Sequence, residues 1–472
     1  MRETLRQYLP ANPGREVARV AVPVSLEFIL ILGLNVVSQI IVGGLGDTAV
    51  AAVGFASSIQ YIPFFVLGAL GTSASILVAR AYGAKREKEL NKVVSAALTT
   101  ALIVGVVVAI PFVIWPSEIF AGVGASAAVV AEGSTFLALA MGSLFLGLIS
   151  QVLSGVLRSA DHARSPMVAT IATGILQVPI AIVLVYGWGP IPALGVTGAA
   201  WAMIISAALK VLVMVVQTFG VFHIARWETP GHLREWKSVL SPLVVLAAPM
   251  GLTAGFWSTG NFLYNVIVQQ LGDAALAASQ IVGNLEGMFF VGSLGLMNAV
   301  NALVGRAVGA ADGLLAKAWV IYIKRIGIYG GIVFGILFAL SSFGLPIMFP
   351  KVPAIVITYS VAGILINALL QPVKVRNALM GAAVLPSGND VRGVMMGDFT
   401  APFIVGLPLS LVLGLWTPLG IYGVFIARGL EEIAKVAIFT WRGRRLNWDA
   451  IAEKHNMLNP LGDDPFEGVI QK

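Results

Sequence analysis

Apolar residues dominate the chain in long runs, and short polar connections separate each run from the next. A helix needs about 20 predominantly apolar residues to cross the ~30 Å hydrocarbon core of a bilayer. Twelve runs reach this length, so the pattern predicts an all-α membrane protein with twelve transmembrane helices. The predicted spans are roughly 17–42, 51–79, 93–115, 129–155, 166–187, 194–221, 239–270, 274–305, 319–348, 353–384, 394–416 and 419–441.

Two segments of the chain occur twice at one separation. Residues 45–52 return as 271–278, and residues 77–84 return as 303–310, in both cases 226 residues later. Two weaker matches follow at nearly the same offset, namely 157–164 with 385–392 and 194–195 with 419–420. A constant offset indicates a duplicated half. In a membrane protein it favours a transporter with its substrate site between two related bundles.

The distribution of lysine and arginine predicts the orientation in the membrane. Alternate connections and both ends of the chain are rich in these residues, whereas the opposite connections contain only Lys351. By the positive-inside rule both termini are cytoplasmic, which requires an even number of spans. We therefore expect a multi-pass protein of the cell inner (plasma) membrane, with six spans per half in the same orientation. The net charge of +7 then reflects topology, and nucleic acid is not an expected partner.

Composition supports this class of protein. Charged residues make up 11% and hydrophobic residues 58% of the chain, whereas soluble proteins carry about 25% charged residues. There are no cysteines, and the four histidines have no metal-ligand spacing. We expect no metal site and no cofactor. The predicted organisation is an N-lobe over 1–225, a cytoplasmic linker over 226–238, a C-lobe over 239–445 and a cytoplasmic tail over 446–472.

Four groups of residues resemble the motifs of one transporter family. They are 42–47 with 51–54, 77–84 with its repeat, 155–161, and 384–390. In order, and on a frame of twelve spans, they are similar to the multidrug and toxic compound extrusion (MATE) family over residues 15–445. This family belongs to the multidrug/oligosaccharidyl-lipid/polysaccharide exporter superfamily.

The resemblance implies two pseudo-symmetric six-helix lobes around a central cavity that opens alternately to each side. It implies export of bulky, often cationic organic compounds in exchange for H⁺ or Na⁺. The residues agree with an ion gradient as the energy source, because the chain has no phosphate-binding loop of the Gly-x-x-x-x-Gly-Lys-Ser/Thr type. We expect small-molecule substrates, contact with membrane lipid and a monomer.

Two carboxylates lie near the middle of predicted spans. Glu27 is about ten residues into the first span, and Glu286 is near the middle of the eighth, next to Asn284. An ionisable residue at that depth costs about 2.5–3.5 kcal/mol on insertion scales, so each is a candidate site. Such a carboxylate can bind a coupling cation or take up a proton. The alternative is a carboxylate that is permanently paired or protonated and only structural.

The first span departs from the family pattern. Many members carry an aspartate linked to ion coupling, and here that position is Ser38. Acidic positions of other members fall on Ala181 and Trp257. The coupling site is therefore expected at Glu286 or Glu27. A second possibility is an N-lobe site built from hydroxyl and amide oxygens, such as those of Ser38 and Asn35, which would favour Na⁺.

Aromatic and polar residues of the second half are candidates for the substrate cavity. Stacking and cation–π contacts suit flat organic cations, although an aromatic residue in a span more often faces lipid or the core. Lys374 and Arg376 lie too deep to be ordinary loop charges. They either pair with a carboxylate or bias the cavity against cations. The candidates are Trp257, Asn261, Tyr264, Phe289, Phe290, Lys374 and Arg376.

Four further charged residues are expected to be structural or solvated. Glu431 and Lys435 have the spacing of a helical ion pair, Glu432 is next to them, and Asp398 is near the end of its span. An alternative cargo is a lipid-linked or polysaccharide precursor moved by a flippase, which favours a strongly cationic cavity. An enzyme is not expected, because no catalytic constellation is visible. A channel is disfavoured because no re-entrant filter interrupts the spans.

Overall fold

The computed structural model describes residues 6–122, 127–228, 231–350 and 352–457. Its secondary structure over these ranges is helical, apart from an isolated β-bridge between Trp188 and Ile191. The all-α prediction is confirmed. Residues 458–472 of the predicted tail lie outside the described residues, whereas residues 448–457 form a helix, Trp448–Met457.

Each of the twelve predicted spans corresponds to one long helical element. They are α1 Pro13–Gly43, α2 Asp47–Gly83, α3 Glu87–Ile114, α4 Ala127–Ser159, α5 Arg164–Tyr186, α6 Gly195–Val221, α7 Leu233–Gln269, α8 Asp273–Gly309, α9 Gly313–Met348, α10 Ala354–Ser387, α11 Val391–Leu415 and α12 Ile421–Arg444.

Eleven of these helices are apolar enough to be candidate membrane spans by length and composition, counted over the described residues. The twelfth, α12, has 24 residues but carries charged residues through its middle. These are Arg428, Glu431, Glu432 and Lys435. Because a charged residue in hydrocarbon is costly, a helix of this kind keeps its charges against protein or water. The exception in α12 therefore points to a polar site.

Several helices change pitch within their length. A π-helical turn occupies Met380–Val384 in α10, and another occupies Ala401–Gly406 in α11. Pro386 follows the first, and Pro402 lies inside the second. Proline has no N–H to donate, and its ring clashes with the carbonyl four residues earlier, so the helix widens locally. These turns alter the direction in which neighbouring side chains project.

The two halves share local backbone conformation at matched positions. Gly46 has φ 111° and Gly272, 226 residues later, has φ 102°. The other matched positive-φ pairs are Lys85 (57°) with Ala311 (59°), Asp161 (74°) with Asn389 (60°), and Gly195 (55°) with Gly420 (56°). Left-handed backbone is uncommon for residues other than glycine. Its recurrence at the repeat offsets therefore confirms the duplicated half.

Close helix contacts are repeated as well. A Cβ added at Gly105 of α3 would lie 2.6 Å from Phe145 Cα in α4. A Cβ added at Gly331 of α9 would lie 2.6 Å from Pro372 Cα in α10. Small residues let membrane helices approach at backbone distance. The same device therefore packs the third and fourth helices of each half.

The described residues form two compact units. One contains residues 26–251, and the other contains residues 6–25 with 252–456. The core of the first unit includes Phe136, Leu148 and Val156, and that of the second includes Phe338 and Ile364. The lobe boundaries predicted from the repeat stay a prediction.

Candidate functional site

A buried ion cluster centres on Glu27 in the unit of residues 26–251. The side chain of Glu27 on α1 is buried, and Nη2 of Arg158 on α4 lies 2.6 Å from its Oε2. Nζ of Lys210 on α6 lies 3.2 Å from Oε1. The hydroxyl of Thr170 on α5 donates to the same oxygen at 3.3 Å. One carboxylate therefore joins four helices.

The charge of this cluster explains its stability. Two cations face one carboxylate, and all three groups are largely removed from water. Removing one member of a buried ion pair leaves an uncompensated charge, at a cost of about 3–5 kcal/mol. Glu27 therefore offsets part of the cost of burying Arg158 and Lys210.

Glu286 and its cationic partner Lys374 both belong to the unit that contains residues 252–456. Nζ of Lys374 on α10 lies 2.5 Å from Glu286 Oε1 on α8. The same ammonium donates to Oδ1 of Asn367 at 2.5 Å. This is one of the pairings that the sequence left open for Lys374.

A small polar cavity lies beside this pair. Its volume is about 60 Å³, which accommodates a few water molecules or one ion. Pockets for drug-sized ligands are typically about 300–1,000 Å³. The lining residues come from α7, α10, α11 and α12: Phe256, Trp257, Gly260, Asn261, Tyr264, Lys374, Asp398, Pro402, Arg428, Glu431, Glu432 and Lys435.

Hydrogen bonds and ion pairs hold the two glutamates of the cavity. Tyr264 donates its hydroxyl to Glu431 Oε2 at 2.6 Å, and Lys435 Nζ lies 3.0 Å from Glu431 Oε1. The same ammonium lies 3.7 Å from Glu432 Oε1. Asn377 donates to Glu432 Oε2 at 2.8 Å. Both glutamates are thus held in place by partners on other helices or one turn away.

Asp398 on α11 differs from these glutamates. It lines the cavity, but no hydrogen bond or ion pair within 4.0 Å joins its carboxylate to another described residue. Arg428, on the cavity wall, donates to Asn261 Oδ1 at 3.1 Å and places its guanidinium 5.0 Å from the centroid of the Tyr264 ring. The cavity therefore combines a carboxylate lacking a direct partner with cations that have partners elsewhere.

The residues predicted for the substrate cavity divide into two groups. Four of them line the cavity just described: Trp257, Asn261, Tyr264 and Lys374. The ring of Phe289 packs on Phe338 with centroids 5.3 Å apart, and Phe290 is half-buried on α8. Arg376 donates to Thr440 Oγ1 at 2.5 Å. The binding role of all seven stays a prediction.

The remaining coupling candidates are Asn284 on α8 and Asn35 and Ser38 on α1. Asn284 is exposed on α8. Asn35 is exposed on α1 and donates to the hydroxyl of Tyr61 at 3.4 Å. Ser38 accepts a long hydrogen bond, 3.5 Å, from Gln177. Their role in cation binding stays a prediction as well.

The charged face of α12 was not among the sites predicted from the sequence. The sequence predicted Glu431 and Lys435 as a local ion pair, placed Asp398 near solvent and assigned no role to Arg428. A signal was present, because positions 428, 431, 432 and 435 follow the i, i+3, i+4, i+7 spacing of one helical face. Nothing in that spacing shows that the face meets Tyr264, Lys374 and Asp398.

Comparison with known proteins places this arrangement in context. The MatE family model matches residues 23–183 and 249–412. The probable multidrug resistance protein YoeA of Bacillus subtilis is 24% identical over 87% of this chain and 89% of its own. The probable multidrug resistance protein NorM of Bradyrhizobium diazoefficiens is 26% identical over 91% and 93% of the two chains.

Solved structures share the fold. A MATE crystal structure in the bent conformation superposes with a TM-score of 0.84 and 19% identity, covering 95% of this chain and 98% of its own. A transporter of the MOP superfamily from Pyrococcus furiosus, described as having a binding pocket of reverse polarity, gives a TM-score of 0.83 with 19% identity. It covers 94% of this chain and 98% of its own.

Proposed function

Because the chain belongs to the multidrug and toxic compound extrusion (MATE) family, we propose that it is a secondary active antiporter for bulky, cationic organic compounds. Members of this family are membrane transporters and not enzymes. The cargo is exported by alternating access in exchange for H⁺ or Na⁺, and the relatives named for multidrug resistance support efflux as the direction. We place the protein in the inner membrane with both termini cytoplasmic.

The observation that carries this proposal is the charge balance at the small cavity. With Glu286 included, four carboxylates face three cations: Asp398, Glu431, Glu432 and Glu286 against Lys374, Arg428 and Lys435. With all groups ionised, the site has one excess negative charge. Uptake of one proton makes it neutral. A site of this kind can exchange one monovalent organic cation for one proton without burying a net charge.

Lys374 connects Glu286 to the cavity. It lines the cavity and holds Glu286 at 2.5 Å. When Glu286 takes up a proton, the charge of Lys374 is no longer compensated, and the cavity becomes less favourable for a cation. When the proton leaves, the cavity attracts a cation again. Glu286 is therefore the first candidate for the coupling residue, and its proton and the cargo compete through Lys374.

Glu27 is the second candidate. Its carboxylate has two cations within 3.2 Å, so a loss of its charge would break two ion pairs, whereas Glu286 pairs with Lys374. Of the two coupling ions, H⁺ fits these pairs better, because an ammonium or guanidinium already occupies the place beside each carboxylate that a Na⁺ would need.

The cargo needs more space than the cavity of about 60 Å³ provides. Trp257 lies on the cavity wall with 60% of its surface exposed, and its ring is available for stacking. An exposed indole attracts organic cations through its π-face, with a gain of about 0.5–2 kcal/mol. We therefore assign Trp257 to cargo contact and the carboxylates behind it to coupling.

Transport in proteoliposomes with each gradient imposed separately tests the proposal. We expect efflux of ethidium driven by a pH gradient and little efflux driven by a Na⁺ gradient alone. A Na⁺-driven efflux of equal rate would keep the antiporter and overturn the choice of ion. No ethidium movement under either gradient, with protein that is folded and correctly inserted, would overturn the proposed function.

One observation favours the flippase alternative. The Glu27 cluster places two cations beside one carboxylate, and buried cations suit a phosphate-bearing cargo. The same proteoliposomes distinguish the two functions. Translocation of a lipid-linked pyrophosphate without movement of ethidium would establish the flippase.

A further inference from the structure

A second cavity, distinct from the proposed coupling site, lies in the unit of residues 26–251. Its volume is about 560 Å³, within the range of about 300–1,000 Å³ typical of small-molecule sites. It is formed by the turn after α2, the turn after α4 and the segment that follows α6. The residues that determine its chemistry are Lys85, Arg86, His162, His223 and Arg226, with the aromatic ring of Phe222.

Hydrogen bonds fix the walls of this cavity. The backbone N–H of Arg226 donates to Asn91 Oδ1 at 2.8 Å, which ties the segment after α6 to α3. The backbone N–H of Glu228 donates to Ser95 Oγ at 3.0 Å, which gives a second link to α3. The rings of His162 and Phe222 lie with centroids 4.0 Å apart. The cavity is thus formed by segments held in place.

The cavity is cationic. Three permanent cations, Lys85, Arg86 and Arg226, line it against a single carboxylate, that of Glu87. Arg86 also lies 3.5 Å from Glu89, which reduces its effect in part. A cluster of this sign in a concave site selects an anion.

The matching positions of the C-terminal half carry two carboxylates that this cavity lacks. Position 86 corresponds to Asp312 at the 226-residue offset, and Asp312 caps α9 by accepting from the N–H of Leu315 at 2.8 Å. Position 162 corresponds to Asp390 at the 228-residue offset, and Asp390 caps α11 by accepting from the N–H of Gly393 at 3.1 Å. The C-terminal half therefore supplies a carboxylate at both positions.

The N-terminal half has no carboxylate at the same two positions. Arg86 is the N-cap of α3, and His162 precedes Ala163, the N-cap of α5; neither N-cap makes a side-chain hydrogen bond. Uncapped N–H groups at a helix N-terminus attract anions, and phosphate most of all. An arginine and a histidine thus replace two carboxylates at the start of two helices that lack side-chain caps, beside about 560 Å³ of space.

We propose that this cavity binds a phosphate-bearing ligand, whose oxygens take the place of the two carboxylates of the other half. Two sources supply this chemistry. One is the headgroup of an anionic phospholipid, since basic pockets at the ends of membrane helices bind such headgroups. The other is a soluble organic phosphate of nucleotide size, which the volume admits and which Phe222 and His162 can contact through a base.

The experiment uses the full-length protein purified in neutral detergent. Adenosine triphosphate is the soluble probe, measured by isothermal titration. For the lipid source, native mass spectrometry compares retention of phosphatidylglycerol with that of phosphatidylcholine. Arg86→Asp installs the carboxylate of the other half, and Lys85→Gln removes one cation without adding a charge. Lys92→Gln is the matched control, because Lys92 is on the same helix as the cavity wall but pairs with Glu235 at 3.5 Å outside it.

We expect one probe to bind the unmodified protein, and Arg86→Asp to weaken that binding by about tenfold or more, since it replaces an attractive charge by a repulsive one. Lys85→Gln should weaken it less, and Lys92→Gln should leave it unchanged. If Arg86→Asp does not fold, the comparison of Lys85→Gln with Lys92→Gln decides. Binding of neither probe, or equal binding by the cavity variants and the control, would overturn the proposal.

Discussion

Lys374 Nζ lies 2.5 Å from Oε1 of Glu286 and thereby joins α10 to α8. Lys374 also lines the small polar cavity between α7, α10, α11 and α12. The pair links a carboxylate that can take up a proton to a cation that faces the cavity. It is therefore the first contact to alter when testing how ion and cargo are coupled.

Glu286→Gln should abolish coupling while the protein still folds. Glutamine keeps the shape of the side chain and can accept a hydrogen bond from Lys374, but it cannot ionise. We expect gradient-driven ethidium efflux to fall by about tenfold or more, because the step that needs the charge is lost. Efflux in proteoliposomes and the thermal unfolding midpoint are the two measurements. Full gradient-driven transport by this variant would refute the assignment.

Asp398→Asn should affect transport more than stability. Asp398 lines the cavity and has no hydrogen bond or ion pair with another described residue, so an amide there removes charge without breaking a contact. The matched control is Asp390→Asn in the turn before the same helix, where the carboxylate bonds to Arg442 and caps α11. Asparagine still caps the helix, so we expect Asp390→Asn to lower stability by about 1–3 kcal/mol through loss of the charged partner of Arg442 and to leave the ion dependence unchanged. If the variant that loses more transport were also the variant that loses more stability, the two roles would not be separate.

Glu27→Gln should lower stability strongly. The substitution removes the carboxylate that faces Arg158 and Lys210, and breaking a buried ion pair costs about 3–5 kcal/mol. The comparison is Thr170→Val, which removes only a 3.3 Å hydrogen bond to the same carboxylate and should cost about 1 kcal/mol. Thermal unfolding in detergent reports both. A Glu27→Gln variant that is as stable as the unmodified protein and lacks transport would make Glu27 the coupling residue instead.

Ser38→Ala should leave substantial transport. The family resemblance predicts an aspartate where this chain has Ser38, and the Ser38 hydroxyl accepts a 3.5 Å hydrogen bond from Gln177. We expect the rate of ethidium efflux to stay within about twofold of the unmodified protein, since loss of a weak hydrogen bond costs under about 1 kcal/mol. Abolished transport would instead place an oxygen-built ion site in the N-terminal half and favour Na⁺.

Gly46→Ala should destabilise the turn before α2. Its φ of 111° with ψ of 174° lies in a region that only glycine adopts readily, and a side chain there costs about 1–3 kcal/mol. Gly54→Ala is the control, because Gly54 lies in the middle of α2 and a Cβ added there meets nothing within 4 Å. That variant should be neutral or stabilising by up to about 1 kcal/mol. Thermal unfolding in detergent measures both variants. Equal unfolding midpoints would show that the turn is not strained.

The sequence by itself determined the helices and the duplication. Long apolar runs can be satisfied in a membrane only by helices, so each of the twelve runs became one helical element. The structure shows left-handed backbone recurring at the repeat offset, as at Gly46 and Gly272. These features follow from local composition, and no distant contact is needed to fix them.

Tertiary structure alone decided which charges meet. Tyr264 and Glu431 are 167 residues apart in the sequence, and the Tyr264 hydroxyl lies 2.6 Å from Glu431 Oε2. Lys374 pairs with Glu286, whereas the sequence predicted only that Lys374 could pair with a carboxylate. Helical periodicity shows that positions 428, 431, 432 and 435 share a face, but it carries no information on the helix opposite. In a low dielectric medium the pairing of buried charges depends on distances of a few ångströms, and packing between helices sets those distances.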